Sequence, residues 1–136
     1  MDPQSLQRWL NADVEAWKSY DPGQIGALFA EDAEYRYHPY DSDPDHGRAA
    51  IVASWTADAN RDRPGTYDAV YTPFAIDGSK AVATGTSRYY TDESRTTLER
   101  EYHNVFLMSF DGDGRCSKFN EYYMRGPEVR GRSHPG

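Results

Sequence analysis

The sequence predicts an α+β fold in which three N-terminal helices pack on a curved, mixed or antiparallel β-sheet. In the first half of the 136 residues, apolar side chains recur every three or four positions, which is typical of helices that bury one face. From about residue 66 onward, four runs are strand-like and are separated by turn residues. Helices and strands that are segregated along the chain in this way form two packed layers.

The first two helices are predicted from apolar spacing and from residues that end helices. Residues 5–20 form the first helix, and the sequence Asp21-Pro22-Gly23 stops it. Its apolar residues are Leu6, Trp9, Leu10, Val14 and Trp17. A short second helix follows and is predicted to end near residues 31–32.

One strand and one helix separate this segment from the β-rich half. Residues 33–39 alternate and contain aromatic side chains, and Pro39 closes the strand. Residues 41–47 are predicted to be a loop, and a third helix runs from Arg48 to about Ala59. A Pro-Gly break at residues 64–65 follows this helix.

The second half of the chain is predicted to form four antiparallel strands joined by tight turns. The segments Asp77-Gly78-Ser79-Lys80 and Asp111-Gly112-Asp113-Gly114 are typical hairpin turns. Pro73 implies an edge position or a bulge for the first of these strands. The strands cover about residues 66–76, 81–91, 97–110 and 115–124. We expect a single domain over residues 1–124 and a flexible tail over residues 125–136.

Composition and charge argue against several classes of partner. The net charge of −7 leaves no basic stripe for phosphate groups, so nucleic-acid binding is not expected. No apolar run reaches membrane-spanning length, and the N-terminus lacks the pattern of a signal peptide. The single cysteine, Cys116, excludes an internal disulfide framework and suits a reducing compartment. We therefore expect a soluble, cytoplasmic protein that binds neither nucleic acid nor membranes.

The sequence predicts no metal site and no cofactor. Residues 41–47 are superficially similar to a calcium-binding loop, but Pro44 interrupts them and their glycine comes one position late. Val52 stands where such a loop needs a bidentate glutamate. The chain has no metal-ligand spacing of His and Cys, no phosphate-binding glycine loop and no nucleophile elbow.

Two strands of the C-terminal half direct polar side chains toward the expected core. Alternation puts Arg88 and Tyr90 on one face of their strand. It puts Phe119, Glu121 and Tyr123 on one face of the last strand. Because buried charges are tolerated only when they are paired or hydrogen-bonded, we expect Arg88 and Glu121 to meet in a shared cavity. Aromatic residues make up 14% of the chain, and tyrosine suits such a half-polar cavity.

Glu121 is the first candidate catalytic residue, and two interpretations of it stay open. Between Phe119 and Tyr123, its carboxyl group would have a raised pKa and act as a base near neutral pH. Alternatively, an ion pair with Arg88 keeps the carboxylate permanently ionised for structural reasons. Arg88 itself either orients a ligand oxygen, holds Glu121, or lies exposed at the end of its strand.

The candidate ligand-binding residues are aromatic side chains around the expected mouth of the cavity. Tyr35, Tyr37 and His38 flank this mouth, where the tyrosine hydroxyls bind a ligand oxygen or the rings only pack. Trp17 and Trp55 lie at helical spacing with other apolar residues, which favours a place in the core and the pocket wall.

Three segments resemble those of a known family. Trp17 lies near the end of the first helix, Leu28-Phe29-Ala30-Glu31-Asp32-Ala33 precedes a tyrosine-rich strand, and residues 114–123 form the closing strand. With the order of elements, these segments resemble the NTF2-like superfamily, and within it the SnoaL-like branch. The resemblance covers roughly residues 5–124 and implies a cone-shaped fold with an open cavity. This fold serves enzymes of several types as well as non-catalytic binders.

The resemblance allows three enzyme patterns to be matched to this chain. In the limonene-epoxide-hydrolase-like pattern, Arg88, Glu121 and Tyr35 match an arginine, an aspartate and a tyrosine. Tyr90 and Tyr37 replace a second aspartate and an asparagine of that pattern. In the ketosteroid-isomerase-like pattern, Tyr37 and the residue after it stand where an aspartate base is expected. In SnoaL-type polyketide cyclases an acidic residue is the base, and Glu121 matches it.

The same alignment adds His103 and implies a homodimer. It suggests that His103 points inward and exchanges a proton with Glu121, the alternative being a hydrogen-bonded core or edge histidine. Two functions for the small-molecule pocket stay open: a proton-transfer lyase, isomerase or cyclase that uses Glu121 and Arg88, or a non-catalytic ligand-binding or assembly domain. The homodimer is expected to form through the outward face of the sheet, with residues such as Tyr89 and Tyr122.

Overall fold

The computed structural model describes residues 1–126, in which three helices pack against one six-stranded sheet. The helices are α1 (Pro3–Ser19), α2 (Pro22–Ala27) and α3 (Arg48–Thr56), and a 3-10 turn covers Asp58–Asn60. The strands are β1 (Phe29–Arg36), β2 (Asp45–His46), β3 (Tyr67–Asp77), β4 (Lys80–Tyr90), β5 (Leu98–Phe110) and β6 (Cys116–Arg125). Of the tail predicted for residues 125–136, Arg125 ends β6, and residues 127–136 lie outside the described residues. Within the described part, no helix is long and apolar enough to cross a membrane.

Helix α1 forms because both of its ends are capped and one of its faces is apolar. Asp2 Oδ1 accepts a hydrogen bond from Ser5 N at 2.8 Å, and Asp2 N donates to Ser5 Oγ at 3.0 Å, which is a capping box. Tyr20 ends the helix in a left-handed conformation with φ of 50°. On the buried face, Trp9 Nε1 donates to the carbonyl oxygen of Leu28 at 2.9 Å and ties α1 to the start of β1.

The sheet is mixed, with the strand order β2-β1-β6-β5-β4-β3. Strand β1 runs parallel to β6, and the other neighbouring strands are antiparallel. Gly78 and Gly114 adopt positive φ in the two predicted hairpin turns. Pro73 lies in the edge strand β3, at a register shift relative to β4, so it has both features predicted for it. The α+β architecture with a mixed sheet is confirmed.

The core lies between the helices and one face of the sheet, which we call the inner face; the opposite face is the outer face. The largest fully buried side chains are Phe29, Leu6, Leu10, Ile25, Ile51 and Cys116. Strand β4 contributes only small groups opposite Tyr71 of β3. A Cβ atom on Gly85 would lie 2.0 Å from the carbonyl oxygen of Val70 and 2.6 Å from Tyr71 Cδ1. Glycine at this position therefore allows the Tyr71 ring to lie across β4.

Three local predictions differ from the structure. Helix α2 ends at Ala27 and β1 begins at Phe29, before the predicted helix end at residues 31–32. Strand pairing decides this boundary, because Phe29 pairs with Cys116 and the amide of Cys116 donates to the Leu28 carbonyl at 2.9 Å. Helix α3 ends at Thr56 rather than near residue 59. The predicted loop contains the two residues of β2, which pair with β1.

Candidate active site

A cavity of about 560 Å³ lies between the helices and the inner face of the sheet. Its volume is in the range of small-molecule sites. Aromatic rings form most of its wall, and Trp17, Tyr35, Trp55, Tyr89, Phe106 and Phe119 are among them. Polar groups stand at both ends, with Asp13 and Asn104 buried inside and Asn60 exposed at the mouth. The cavity thus combines an apolar wall with a few convergent polar groups.

The cavity contains most of the residues that the sequence predicted for it: Trp17, Tyr35, Tyr37, His38, Trp55, Phe119, Glu121 and Tyr123. The ring of Tyr35 stacks on Phe119 with centroids 4.5 Å apart. The hydroxyl of Tyr37 donates to Asp45 Oδ2 at 2.9 Å, so this group is already engaged. By contrast, the Tyr35 hydroxyl makes no hydrogen bond with the described residues and is available to a ligand.

Glu121 lines the cavity from β6 and holds one hydrogen bond. Its Oε2 accepts from Asn104 Nδ2 at 2.7 Å. Burial raises the pKa of Glu121 to about 7, although the hydrogen bond from Asn104 acts in the opposite direction. The carboxyl group is therefore poised to take up and release a proton near neutral pH.

Asp13 is a second carboxyl group in the same cavity, and the sequence prediction did not include it. It projects from α1 and is only 7% exposed. Burial, and then the negative charge of Glu121, raises the pKa of Asp13 from 3.8 to about 8. Its carboxyl group makes no hydrogen bond with the described residues. One sequence feature could have identified Asp13: it lies three residues after Leu10 and so interrupts the apolar stripe of α1.

The prediction that Arg88 meets Glu121 inside the cavity is wrong. Arg88 lies on the outer face with 54% of its side chain exposed, and its Nε donates to Glu101 Oε2 at 2.5 Å. The error is one of strand face. Ala81 and Ala83 of β4 pack against the core, so the alternate residues, Arg88 among them, point outward.

The same alternation corrects three further residues. Tyr90 lies on the outer face of β4 with Arg88 and is not among the residues of the cavity wall. His103 also faces outward, with 68% of its side chain exposed, and lies 3.8 Å from Glu101. Tyr89, which was expected on the outward face, lines the cavity. In each case the period of two is correct and the choice of face is reversed.

Arg100 of β5 is the arginine that lines the cavity. Its guanidinium carbon lies 3.9 Å from the centroid of the Tyr89 ring, in cation–π geometry. Its Nη1 donates to Glu99 Oε1 at 2.6 Å. Because a guanidinium group has five N–H donors, further donors remain for a ligand oxygen at the mouth. The alternation of Arg100 with the inward Asn104 and Phe106 is the sequence signal for this residue.

The mouth is closed on one side by a network around Asp62. Trp17 Nε1 lies 3.2 Å from Asp62 Oδ2 and 3.1 Å from the hydroxyl oxygen of Tyr20. Tyr20 in turn accepts a hydrogen bond from Asp62 N at 2.9 Å. These bonds fix the indole of Trp17 as part of the wall. Among residues 1–126, no cluster of three His, Cys, Asp or Glu side chains is arranged to hold a metal ion.

Comparison with known proteins gives one family match and several similar structures. The model of the SnoaL-like domain matches residues 8–119. A protein named as a candidate ketosteroid isomerase from Kribbella flavida is 20% identical, with a TM-score of 0.65 over 99% of this chain and 86% of that chain. A protein from Sphaerobacter thermophilus is 17% identical, with a TM-score of 0.61 over 86% of this chain and 94% of that chain.

A third similar structure is an NTF2-like protein with a cystatin-like fold from Novosphingobium aromaticivorans. It is 20% identical, with a TM-score of 0.64 over 88% of this chain and 80% of that chain. No match is found among the curated proteins. At these identities the structural similarities establish the fold and leave the chemistry to be argued from the cavity.

Proposed function

The chain belongs to the SnoaL-like domain family of the NTF2-like superfamily, and on this premise we propose that it is a proton-transfer enzyme acting on a small carbonyl compound. One observation carries the proposal: Asp13 and Glu121 face the same largely aromatic cavity, and the pKa values of both are raised toward neutrality. Two carboxyl groups with different environments can act as an acid and a base at the same pH.

Glu121 is the base and Asp13 is the acid in this proposal. The pKa of Asp13, about 8, is higher than the pKa of Glu121, about 7, so near neutral pH Glu121 is the more readily ionised group and Asp13 the more readily protonated one. One group is therefore ready to accept a proton while the other is ready to donate one. No resident cofactor is needed for such a transfer.

The reaction begins at a carbon next to a carbonyl group. The carboxylate of Glu121 takes a proton from this carbon, and the C–H electron pair becomes the π bond of a new C=C bond. The π pair of the C=O bond moves onto the carbonyl oxygen, which takes the proton of Asp13. The product of this step is an enol. Return of the proton to another carbon gives an isomer, loss of a leaving group gives a lyase product, and attack on a second carbonyl gives a ring. All three outcomes share the first step.

The wall and the mouth complete the ligand site. The aromatic side chains suit a ring-containing or otherwise apolar ligand. Tyr35 offers its free hydroxyl as a donor, and Arg100 binds a second oxygen of the ligand at the mouth, the role that the sequence suggested for Arg88.

The test is exchange of carbon-bound hydrogen for deuterium. We would incubate the protein with β-tetralone, an aromatic ketone, in heavy water and follow loss of the proton signal next to the carbonyl by NMR. Exchange above the buffer rate is expected, and Glu121→Gln should reduce the excess by about 100-fold or more. Exchange at the buffer rate, or wild-type exchange by Glu121→Gln, would contradict the proposal.

Non-catalytic binding is the second candidate function. It is favoured by the hydrogen bond from the Tyr37 hydroxyl to Asp45. Tyr37 aligns with the asparagine of the limonene-epoxide-hydrolase-like pattern, and a hydroxyl that is already bonded is not free to act on a ligand. Saturable binding of the ketone, seen as perturbed tryptophan fluorescence, without any exchange would support this candidate.

We also propose a homodimer through the outer face of the sheet. Val105, Leu107, Tyr122 and Met124 form an exposed apolar patch there, which we call the outer-face patch. Arg88 and Glu101 lie beside it and bring both signs of charge to one face. Such a face is self-complementary under a twofold axis, so a second copy of the chain is its expected occupant.

We further propose that the protein acts in the cytoplasm. The free, buried thiol of Cys116 is consistent with this proposal.

A further inference from the structure

We propose that Tyr71, Ser87 and Asn104 are positioning residues that hold Oε2 of Glu121 as a hydrogen-bond acceptor, so that the base gains and loses its proton at Oε1. This inference deepens the proposed function, because it describes how the proposed base is oriented. It rests on a continuous line of hydrogen bonds across the inner face of the sheet.

The line takes one side chain from each of four neighbouring strands. The Tyr71 hydroxyl on β3 lies 2.7 Å from Ser87 Oγ on β4. Ser87 Oγ lies 2.8 Å from Asn104 Oδ1 on β5, and Asn104 Nδ2 lies 2.7 Å from Glu121 Oε2 on β6. Each step joins diagonal neighbours of the sheet, as in the step from Ser87, which pairs with Tyr102, to Asn104. The line therefore runs across the strands.

The Tyr71 end sets the direction of every bond in the line. Tyr71 is only 6% exposed, and Ser87 is the hydrogen-bond partner of its hydroxyl among the described residues. If Ser87 donated to Tyr71, the phenol proton would have no acceptor among the described residues, which is costly for a hydroxyl of so little exposure. Tyr71 therefore donates to Ser87, and Ser87 uses its single proton to donate to Asn104 Oδ1.

This direction fixes the side-chain amide of Asn104. Because Oδ1 receives the proton of Ser87, the NH₂ group of Asn104 must face Glu121. An NH₂ group only donates, so the oxygen that it contacts cannot carry a proton directed at it. Oε2 thus stays an acceptor, and Oε1, which has no hydrogen bond to the described residues, is the oxygen that exchanges protons.

Gly85 is the backbone condition for this arrangement. It pairs with Tyr71, and a side chain there would collide with the Tyr71 ring. Because Gly85 has no side chain, the Tyr71 ring passes over it, and the Tyr71 hydroxyl reaches Ser87, two residues further along β4.

Several charged or titratable groups share the cavity with Glu121, and the test must separate them. They come from the helical layer, from the segments after β1 and after the 3-10 turn, and from the strands: Asp13, Tyr20, Tyr35, Tyr37, His38, Asp62, Tyr71, Tyr89, Arg100, Tyr102 and Tyr123. Asp13 is a second carboxyl group of the cavity, and burial raises its pKa to a value close to that of Glu121. The measurement is therefore made both in the otherwise wild-type chain and in an Asp13→Asn background.

The experiment is a titration of Glu121 by carboxyl ¹³C NMR in the full chain. In Tyr71→Phe, Ser87 loses its obligatory donor, so the amide of Asn104 can rotate and accept a proton from Glu121. We expect the pKa of Glu121 to rise by about one unit, and the same rise in Ser87→Ala, which removes the bond to Asn104 Oδ1. Tyr122→Phe, which removes a phenol from the outer face of the same strand as Glu121, is the matched control and should leave the pKa unchanged.

An unchanged or lowered pKa in both Tyr71→Phe and Ser87→Ala would overturn the inference. If Ser87→Ala does not fold, Tyr71→Phe decides alone, because it removes one oxygen and keeps the ring. The readout does not depend on turnover. One outcome separates the two proposals: the pKa of Glu121 rises in Tyr71→Phe and Ser87→Ala, but the wild-type protein does not catalyse exchange of ketone hydrogen for deuterium. This outcome would reject the proposed function and leave the positioning role intact.

Discussion

Asp13 and Glu121 face one cavity from the two opposite layers of the fold, and the charge of Glu121 helps to raise the pKa of Asp13. Asp13 comes from α1 and Glu121 from β6, so the pair exists only after the helix packs on the sheet. Neither carboxyl has a cationic hydrogen-bond partner among the described residues, because Arg88 lies on the outer face. This relationship underlies the first two predictions.

The pH dependence of ketone exchange should be bell-shaped. Activity should rise as Glu121 ionises, with a pKa of about 7, and fall as Asp13 loses its proton, with a pKa of about 8. Since the two groups interact, the limbs report apparent values of the pair. Initial exchange rates between pH 5 and 10 measure the profile, and Asp13→Asn should lose the alkaline limb. A wild-type rate that rises steadily across this range would argue against Asp13 as the acid.

Asp13→Asn should stabilise the protein at alkaline pH. Folding raises the pKa of Asp13. The contribution of this carboxyl group to the stability of the folded state is therefore complete below its unfolded pKa of 3.8, and it is lost as the pH rises through about 8. At pH 9 we expect the free energy of unfolding of Asp13→Asn to exceed that of the wild type by several kcal/mol, with an upper bound of about 6 kcal/mol. Urea denaturation at pH 5 and pH 9 measures this, and the difference should be much smaller at pH 5. An equal difference at both values would mean that Asp13 does not titrate as described.

Arg100 and Arg88 should behave differently when either is replaced by alanine. Arg100 lines the cavity, so Arg100→Ala should raise the KM for a ketone that carries a carboxylate by about tenfold. Arg88→Ala is the matched control, because its guanidinium group binds Glu101 on the outer face and should not affect exchange. A larger rise in KM for Arg88→Ala than for Arg100→Ala would contradict the placement of Arg100 in the cavity and of Arg88 on the outer face.

Gly85→Ala should destabilise the fold by about 2 kcal/mol through overpacking. The added Cβ atom would meet the carbonyl oxygen of Val70 at 2.0 Å and the Tyr71 ring at 2.6 Å. Gly112→Ala is the control, since nothing lies within 4 Å of a Cβ atom at that turn. Thermal and urea unfolding compare the two variants. Equal stability of both would show that β3 and β4 do not approach this closely.

A charge in the outer-face patch should dissociate the proposed homodimer. Leu107→Glu puts a carboxylate in this patch, whereas Tyr40→Glu changes a loop residue that is 91% exposed. Light scattering coupled to size exclusion should give a dimer for the wild type and Tyr40→Glu, and a monomer for Leu107→Glu. A monomeric wild type at micromolar concentration would remove the proposal.

The sequence alone was sufficient for the elements and for much of the cavity wall. Apolar spacing, caps and hairpin turns act over a few residues, so the helices and the four C-terminal strands could be predicted close to their observed bounds. Glu121 was placed correctly because it alternates with Phe119, whose ring is buried in the core. Long-range pairing explains the exception at the start of β1, where contact with β6 replaces the last turn of the predicted helix.

What the tertiary structure decided is which side of each strand faces the helices. Alternation divides a strand into two faces but does not label them. In β4 the small residues Ala81 and Ala83 pack inward, and Val82 stands outside, which reverses the choice suggested by hydrophobicity. That reversal moved Arg88 and His103 out of the site and brought in Arg100 and Asn104. Asp13 joined them because docking of α1 buries it. The apolar stripe of α1 marks its position in the sequence, but its burial is an effect of packing between the layers.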